Sequence, residues 1–116
     1  MKPVRVKRVY DVPSPEDGVR VLVDRLWPRG LKRESSKIDL WLKDVAPSET
    51  LRRWFGHDPS RWTQFQRRYR AELVTNTEPV AVLRELIKTG KPLTLLYAAK
   101  DIERNNAIVL RDFLRP

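Results

Sequence analysis

The sequence predicts one α/β domain over residues 1–116, with a mostly parallel sheet and helices packed on both of its faces. Three observations lead there. Short strand-like runs occupy the first part of the chain, and a helical middle follows them. After that middle comes a continuous apolar run, Leu93-Thr94-Leu95-Leu96-Tyr97-Ala98, which reads as a strand buried on both faces and therefore central and parallel. A final helix follows that strand, and right-handed crossovers then place helices on both sides of the sheet. A chain of this length buries roughly two-thirds of its unfolded surface, so it folds without a cross-link.

Val4, Val6 and Val9-Tyr10 suggest a first strand. A turn-rich run from Asp11 to Gly18 leads to a denser second one, Val19-Arg20-Val21-Leu22-Val23. Pro28 and Gly30 end regular structure after it, and the alternation of Ile38, Leu40 and Leu42 reads as a third strand or a short helix. Ser48 is a good N-cap for a helix through Phe55, which Gly56 closes. Asp58-Pro59 caps a second helix, on which Trp62, Phe65, Tyr69 and Leu73 share one face. Val80, Leu83, Leu86 and Ile87 line a third helix that ends at Gly90. Asp101 is the expected cap of the last helix, with Ala107, Leu110 and Leu114 on its buried face. Neither strand order nor oligomeric state follows from these patterns.

Composition removes several classes of function. With no cysteine there is no disulfide, no thiolate metal site and no cysteine nucleophile. One histidine and scattered carboxylates leave no expectation of a metal. No Gly-rich phosphate loop and no Gly-x-Gly-x-x-Gly follows a strand, and no Gly-x-Ser-x-Gly elbow is present, so no cofactor is expected. The run Met1-Lys2-Pro3-Val4-Arg5 is charged rather than apolar, unlike a secretory signal, and no stretch approaches the ~20 apolar residues of a membrane span. A cytoplasmic protein with no membrane partner is the expectation. The net charge of +9 favours anionic partners such as nucleotides, phosphorylated metabolites or nucleic acid.

In open α/β sheets, ligands bind outside the carboxyl ends of the strands. Two polar clusters fall at such ends: Asp24-Arg25 with Arg29-Gly30 after the second strand, and Lys100-Asp101 with Asn105-Asn106 after the buried one. If those strands are neighbours, the clusters face each other across one crevice. Arg25 and Arg29 offer planar forks of donors for phosphate or carboxylate oxygens, Lys100 adds a compact cation, and the N-terminus of the last helix adds N–H groups. Asp101 and Asn105 complete this ligand-binding set, and Asp24 or His57 would handle protons if there is catalysis. Each position has a structural alternative: Asp24 pairing with an arginine, Asp58 and Asp101 serving as caps, and His57 idle in a loop. A separate set, Arg52, Arg53, Arg61, Arg67, Arg68 and Arg70, lies among Trp54, Trp62, Phe65 and Tyr69. Interleaved arginine and aromatic residues bind single-stranded nucleic acid, although this spacing equally describes a core face beside a solvated one.

These residues also carry a resemblance. Val23-Asp24-Arg25-Leu26-Trp27-Pro28-Arg29-Gly30, Asp39-Leu40-Trp41-Leu42-Lys43, Ala46-Pro47-Ser48 and Leu51-Arg52 are part of it. So are Trp54-Phe55-Gly56-His57-Asp58-Pro59, Trp62, Phe65, Tyr69, Glu72-Leu73, Thr94 through Asp101 and Asn105-Asn106-Ala107. The chain resembles the YeaO-like branch of the family known as domain of unknown function 488 over nearly its whole length. The resemblance implies a compact α/β domain and brings no activity with it. Two functions are thus expected to compete: a site that binds or transforms a phosphorylated or nucleotide-like anion at the strand ends, and a nucleic-acid-binding or regulatory module on the basic middle helices. A surface for a protein partner is the remaining class.

Overall fold

The computed structural model describes residues 3–115; Met1 and Lys2 of the charged N-terminal run, and Pro116, lie outside the described residues. Strands β1 (Val4–Arg8), β2 (Val19–Leu22), β3 (Leu40–Trp41) and β4 (Leu93–Tyr97) form one sheet of order β1-β4-β2-β3, parallel throughout. The helices are α1 (Arg33–Ser36), α2 (Glu49–Phe55), α3 (Trp62–Thr75), α4 (Thr77–Lys88) and α5 (Asn106–Leu114). Single 3-10 turns occupy Pro15–Asp17, Lys43–Val45 and Pro59–Arg61. The apolar run expected to be central is β4: it pairs with β1 on one side and β2 on the other, and all five of its residues are buried.

Strand order decides which connection covers which face. The steps from β1 to β2 and from β2 to β3 run one way across the sheet, and the step from β3 to β4 runs back. Right-handed crossovers therefore place the first two connections on one face and the helical one on the other. Alternation along the strands agrees. Val21, Val23, Leu93, Leu95 and Tyr97 join Phe55, Phe65, Tyr69, Leu83 and Leu110 in the larger core, to which α2 through α5 all contribute. Leu22 and Leu96 point the other way, against Val9, Trp27, Leu31, Ile38 and Trp41. Burying each such aliphatic side chain contributes about 1.5–3 kcal/mol. The layers are unequal, and the second is built from a loop carrying α1.

Local signals explain most boundaries. Ser48 caps α2 by accepting from Leu51 N at 3.1 Å, and Glu72 of α3 clamps that cap, accepting from Ser48 N at 2.8 Å and Ser48 Oγ at 2.6 Å. Gly56 ends α2 in the left-handed region. Asp58 accepts from Ser60 N and caps the 3-10 turn that opens into α3. At Gly18, with φ 65°, a Cβ would lie 2.1 Å from the Pro92 carbonyl oxygen, so no other residue lets β2 start beside the entry to β4.

Three elements differ from expectation. The third strand is only Leu40–Trp41, although Asp39 N and Leu42 N on either side of it still donate to the Arg20 and Leu22 carbonyls of β2, each at 2.9 Å, and Ile38 and Leu42 pack into opposite cores. Helix α1 is unannounced, since Arg33-Glu34-Ser35-Ser36 has no apolar periodicity. Asp101 does not cap α5. Its Oδ1 accepts from Glu103 N at 2.9 Å and Arg104 N at 3.0 Å, a local turn that delays the helix by a full turn. Asn105 is the cap, its Oδ1 accepting from Ile108 N at 3.1 Å.

The second face holds a charged network near the start of β2. Asp17 and Arg20 are 5 % and 3 % exposed and meet at 2.6 Å. Arg20 also donates to the carbonyls of Lys37 at 3.0 Å and Ser36 at 2.9 Å, and Lys7 reaches Asp17 at 3.1 Å. Burial alone would push the Asp17 carboxyl up, but the Ser14 N–H, Lys7 and Arg20 together hold it below the ordinary range.

Candidate functional site

Because β2 and β4 are neighbours, the two polar clusters do share one crevice. It has a volume of ≈ 830 Å³ and lies beyond the carboxyl ends of β1, β4 and β2. Asp24, Arg25, Arg29, His57, Lys100, Asp101 and Asn105 all line it, and so do Arg52 and Arg53 from the basic middle helices.

Its floor is knitted together. The Asp24 carboxylate, one residue past Val23, accepts from Ala98 N at 2.9 Å through Oδ2 and from Asn106 Nδ2 at 3.1 Å through Oδ1. The same Asn106 amide donates to the Val23 carbonyl at 3.1 Å. Asn105, 2 % exposed, caps α5 with one end of its carboxamide and donates to the Asp101 carbonyl at 3.0 Å with the other. From the second face, Trp41 Nε1 donates to the Asp24 carbonyl at 2.8 Å. Burial raises the Asp24 carboxyl above the ordinary carboxylate value, against the opposing pull of the Ala98 N–H, Asn106 and the field of His57.

Arg25 forms a wall. Its Nε and Nη2 donate to the carbonyls of Pro47 and Ala46, each at 3.3 Å, which staples the loop after β2 to the segment entering α2. Nη1 makes no hydrogen bond among the described residues.

The rim is different. Arg29 and Lys100 are exposed, and neither side chain has an ion-pair partner among the described residues. The Arg29 carbonyl accepts from Tyr10 Oη at 2.8 Å, which fixes the loop at that point. Arg52 and Arg53 share Glu49, at 3.6 and 2.9 Å, on an exposed helix edge. His57 is exposed and left-handed, with φ 58°, directly after the left-handed Gly56. Histidine tolerates this region better than most residues, but a side chain there still costs about 1 kcal/mol.

The rest of the basic set is placed elsewhere. Phe65 and Tyr69 are buried, and Tyr69 donates to the Val45 carbonyl at 2.6 Å inside the core. Arg68 lies 4.2 Å from the Trp54 ring centroid and Arg61 lies 5.3 Å from it, with Arg61 also donating to the Trp54 carbonyl. Arg67 and Arg70 are exposed on the outer side of α3. Two of the aromatic rings of this set are thus packed inside, and a third is flanked by guanidinium groups of the same chain.

The sequence groups Asn106 with the second cluster but gives it no role, and it misses Tyr10 and Leu26 as lining residues. Asn106 sits beside the chosen Asn105, and two asparagines at a helix start mean that one can cap while the other faces back to the strand ends. Tyr10 and Leu26 carried no such signal. The arrangement sets exposed cationic side chains at the rim over a hydrogen-bonded floor. Among the described residues no group of three His, Cys, Asp or Glu side chains could hold a metal, and no helix is long and apolar enough to cross a membrane.

Comparison with known proteins covers almost the whole chain. A family model described as "Inactive DUF488-N3 subclade" matches residues 3–116. An uncharacterized protein of Mycobacterium tuberculosis is 44% identical over 112 residues, 96% of this chain and 92% of the relative. The uncharacterized protein YeaO of Escherichia coli is 43% identical over 112 residues, 97% of this chain and 96% of the relative. No solved structure matches.

Proposed function

This chain belongs to the domain of unknown function 488 family, in the YeaO-like branch that its motifs resemble, and on that footing we propose that its crevice binds a phosphorylated or otherwise anionic small molecule. The observation that carries this reading is the charge of the lining. Five cationic side chains, Arg25, Arg29, Arg52, Arg53 and Lys100, stand against two carboxylates, Asp24 and Asp101, around one concavity. Both carboxylates are already engaged by N–H donors, whereas Arg29 and Lys100 make no ion pair among the described residues. Low-dielectric walls focus such a field and concentrate anions.

Arg29 and Lys100 make the first contacts from opposite lips, the free Nη1 of Arg25 adds a donor from the wall, and Arg52 and Arg53 close the third side. Asn105 and Asp101 hold the turn that carries Lys100. Binding is favoured over turnover by two facts. Both Asp24 oxygens accept hydrogen bonds from the scaffold, and the matching family model is described as inactive.

The test is a thermal-shift panel of nucleotides, sugar phosphates and short single-stranded DNA on the wild type, Arg29→Ala and a double Arg67→Ala, Arg70→Ala variant. A ligand at one hundred times its dissociation constant adds about 2.7 kcal/mol, or roughly 10 °C for a domain of this size. The expected result is a small-anion shift that Arg29→Ala loses and the double variant keeps. A shift with DNA alone, kept in Arg29→Ala and lost in the double variant, would make the outer side of α3 the functional surface and overturn the reading.

A further inference from the structure

We propose that the ligand of this crevice is a phosphate ester bearing a planar aromatic ring, of the size of a nucleoside monophosphate, with its ring against Tyr10 and Leu26 and its phosphate at Arg29. This rests on the anion-site reading and narrows it to a class of molecule.

The crevice is too large and too apolar for a small anion alone. Its ≈ 830 Å³ lies within the range of roughly 300–1,000 Å³ typical of sites for multi-ring ligands. Cations surround it, yet Tyr10, Leu26, Pro28, Pro47 and Phe55 are also in its lining. Two of these are left open to water: Tyr10 is 43 % exposed and Leu26 is 61 % exposed. Neither contributes to a core, while Trp27, next to Leu26, packs into the second one. An aliphatic side chain and an aromatic one held open at the edge of a cationic crevice gain free energy only when something apolar covers them.

Tyr10 is also pre-positioned. Its hydroxyl donates to the Arg29 carbonyl at 2.8 Å, so the ring is tied to the backbone of the residue that clamps the anion. The Arg8 guanidinium lies 5.1 Å from the ring centroid and is itself anchored to the carbonyls of Ala99 at 3.0 Å and Ala98 at 3.1 Å. A ring braced in this way loses little freedom when a second ring stacks on it, which is what makes aromatic platforms effective for bases. Tyr10 follows β1, Lys100 follows β4 and Arg29 follows β2, so the three parallel strand ends supply a ring platform, a cation and an anion clamp in adjacent positions. A sugar phosphate would meet the clamp and leave the platform bare.

Isothermal titration with AMP, ribose 5-phosphate and inorganic phosphate on the wild type, Tyr10→Phe and Tyr10→Ala tests this. Base stacking of the strength seen on protein aromatics predicts that AMP binds at least about fivefold more tightly than ribose 5-phosphate. Tyr10→Phe, which keeps the ring and drops the hydroxyl, retains most of that advantage, and Tyr10→Ala removes it, so that within that variant AMP and ribose 5-phosphate bind alike. Urea melts of both variants show that they fold, since Tyr10 is outside the cores. Equal wild-type affinity for AMP and ribose 5-phosphate would overturn the aromatic ligand and leave the anion site standing. An AMP advantage that survives Tyr10→Ala would overturn the placement of the ring. Absence of binding by all three phosphates, at low salt and millimolar concentration, would overturn this proposal together with the reading beneath it.

Discussion

Asp17 and Asp24 lie a few residues apart, one on either side of β2, and the protein treats them in opposite ways. Asp17 is met by Arg20 at 2.6 Å and Lys7 at 3.1 Å, and its carboxyl is held low. Among the described residues Asp24 is met only by neutral donors, Ala98 N and the Asn106 amide, and burial pushes it up. The cations that would neutralise Asp24 are nearby but face elsewhere: Arg25 turns to the carbonyls of Ala46 and Pro47, and Arg29 and Lys100 turn to the rim. At one end of β2 charge is spent internally, on a buried network in which every buried side-chain polar atom has a partner. At the other end, beside the crevice, it is left available. Strand-end charge of this second kind is what the proposed anion site rests on, and the first kind serves the fold.

The largest effect that sharpens the contrast is at Arg20. Arg20→Ala leaves Asp17 buried with only Lys7 and the Ser14 N–H and orphans the carbonyls of Ser36 and Lys37. Breaking one member of a buried pair costs about 3–5 kcal/mol, so urea denaturation should show a loss of that size. A loss under about 1 kcal/mol would mean that the network is peripheral and that the two ends of β2 do not differ as described.

Asp24→Asn is the next test, with an expected loss of about 1–3 kcal/mol from the disturbed bonds to Ala98 and Asn106. Its pH dependence separates the two aspartates. Asp24 has a raised pKa in the folded state, so between the ordinary carboxylate value and that raised value the folded protein binds more protons than the unfolded chain. Its contribution to stability therefore grows as pH falls through that window. Asp17 has a lowered pKa, so its contribution is complete above the ordinary value and disappears as pH falls through the lower, folded one. Urea midpoints measured from pH 7 toward the carboxylate range should decline more steeply in Asp24→Asn than in the wild type. Parallel profiles would show that Asp24 is not held as a raised, uncompensated carboxylate.

How much of this could be read in advance follows from what makes each signal local. The buried run of β4, the Ser48 cap, the Gly56 stop and the face made by Trp62, Phe65, Tyr69 and Leu73 are local patterns, and all of them are present. The meeting of the two strand-end clusters needed the order β1-β4-β2-β3, a tertiary fact that no window of sequence contains. The cap of α5 was misassigned to Asp101 because Asp101 and Asn105 are both good caps, and only the path of the chain after Tyr97 chooses between them. Arg20 gave no sign of its burial. An arginine within a strand reads as a solvent-facing residue unless the turn at Pro15–Asp17 is known to cover it.

The smallest effect on stability is expected where the effect on binding is greatest. Arg29 and Lys100 are exposed and make no ion pair among the described residues, so Arg29→Ala and Lys100→Ala should each change the unfolding free energy by no more than about 0.5 kcal/mol. The backbone carbonyl of Arg29, which holds Tyr10, survives both changes. A small dianion held by the two side chains should nonetheless lose affinity in either variant, and its binding should weaken with added salt because the rim is open to solvent. Measured together, urea midpoints and titration isotherms give the contrast its sharpest form: full stability with lost binding at the rim, and lost stability at Arg20. If Arg29→Ala destabilised the domain as strongly as Arg20→Ala, the rim arginine would belong to the scaffold, and among the lining cations at the rim Lys100 alone would be left without an ion pair among the described residues.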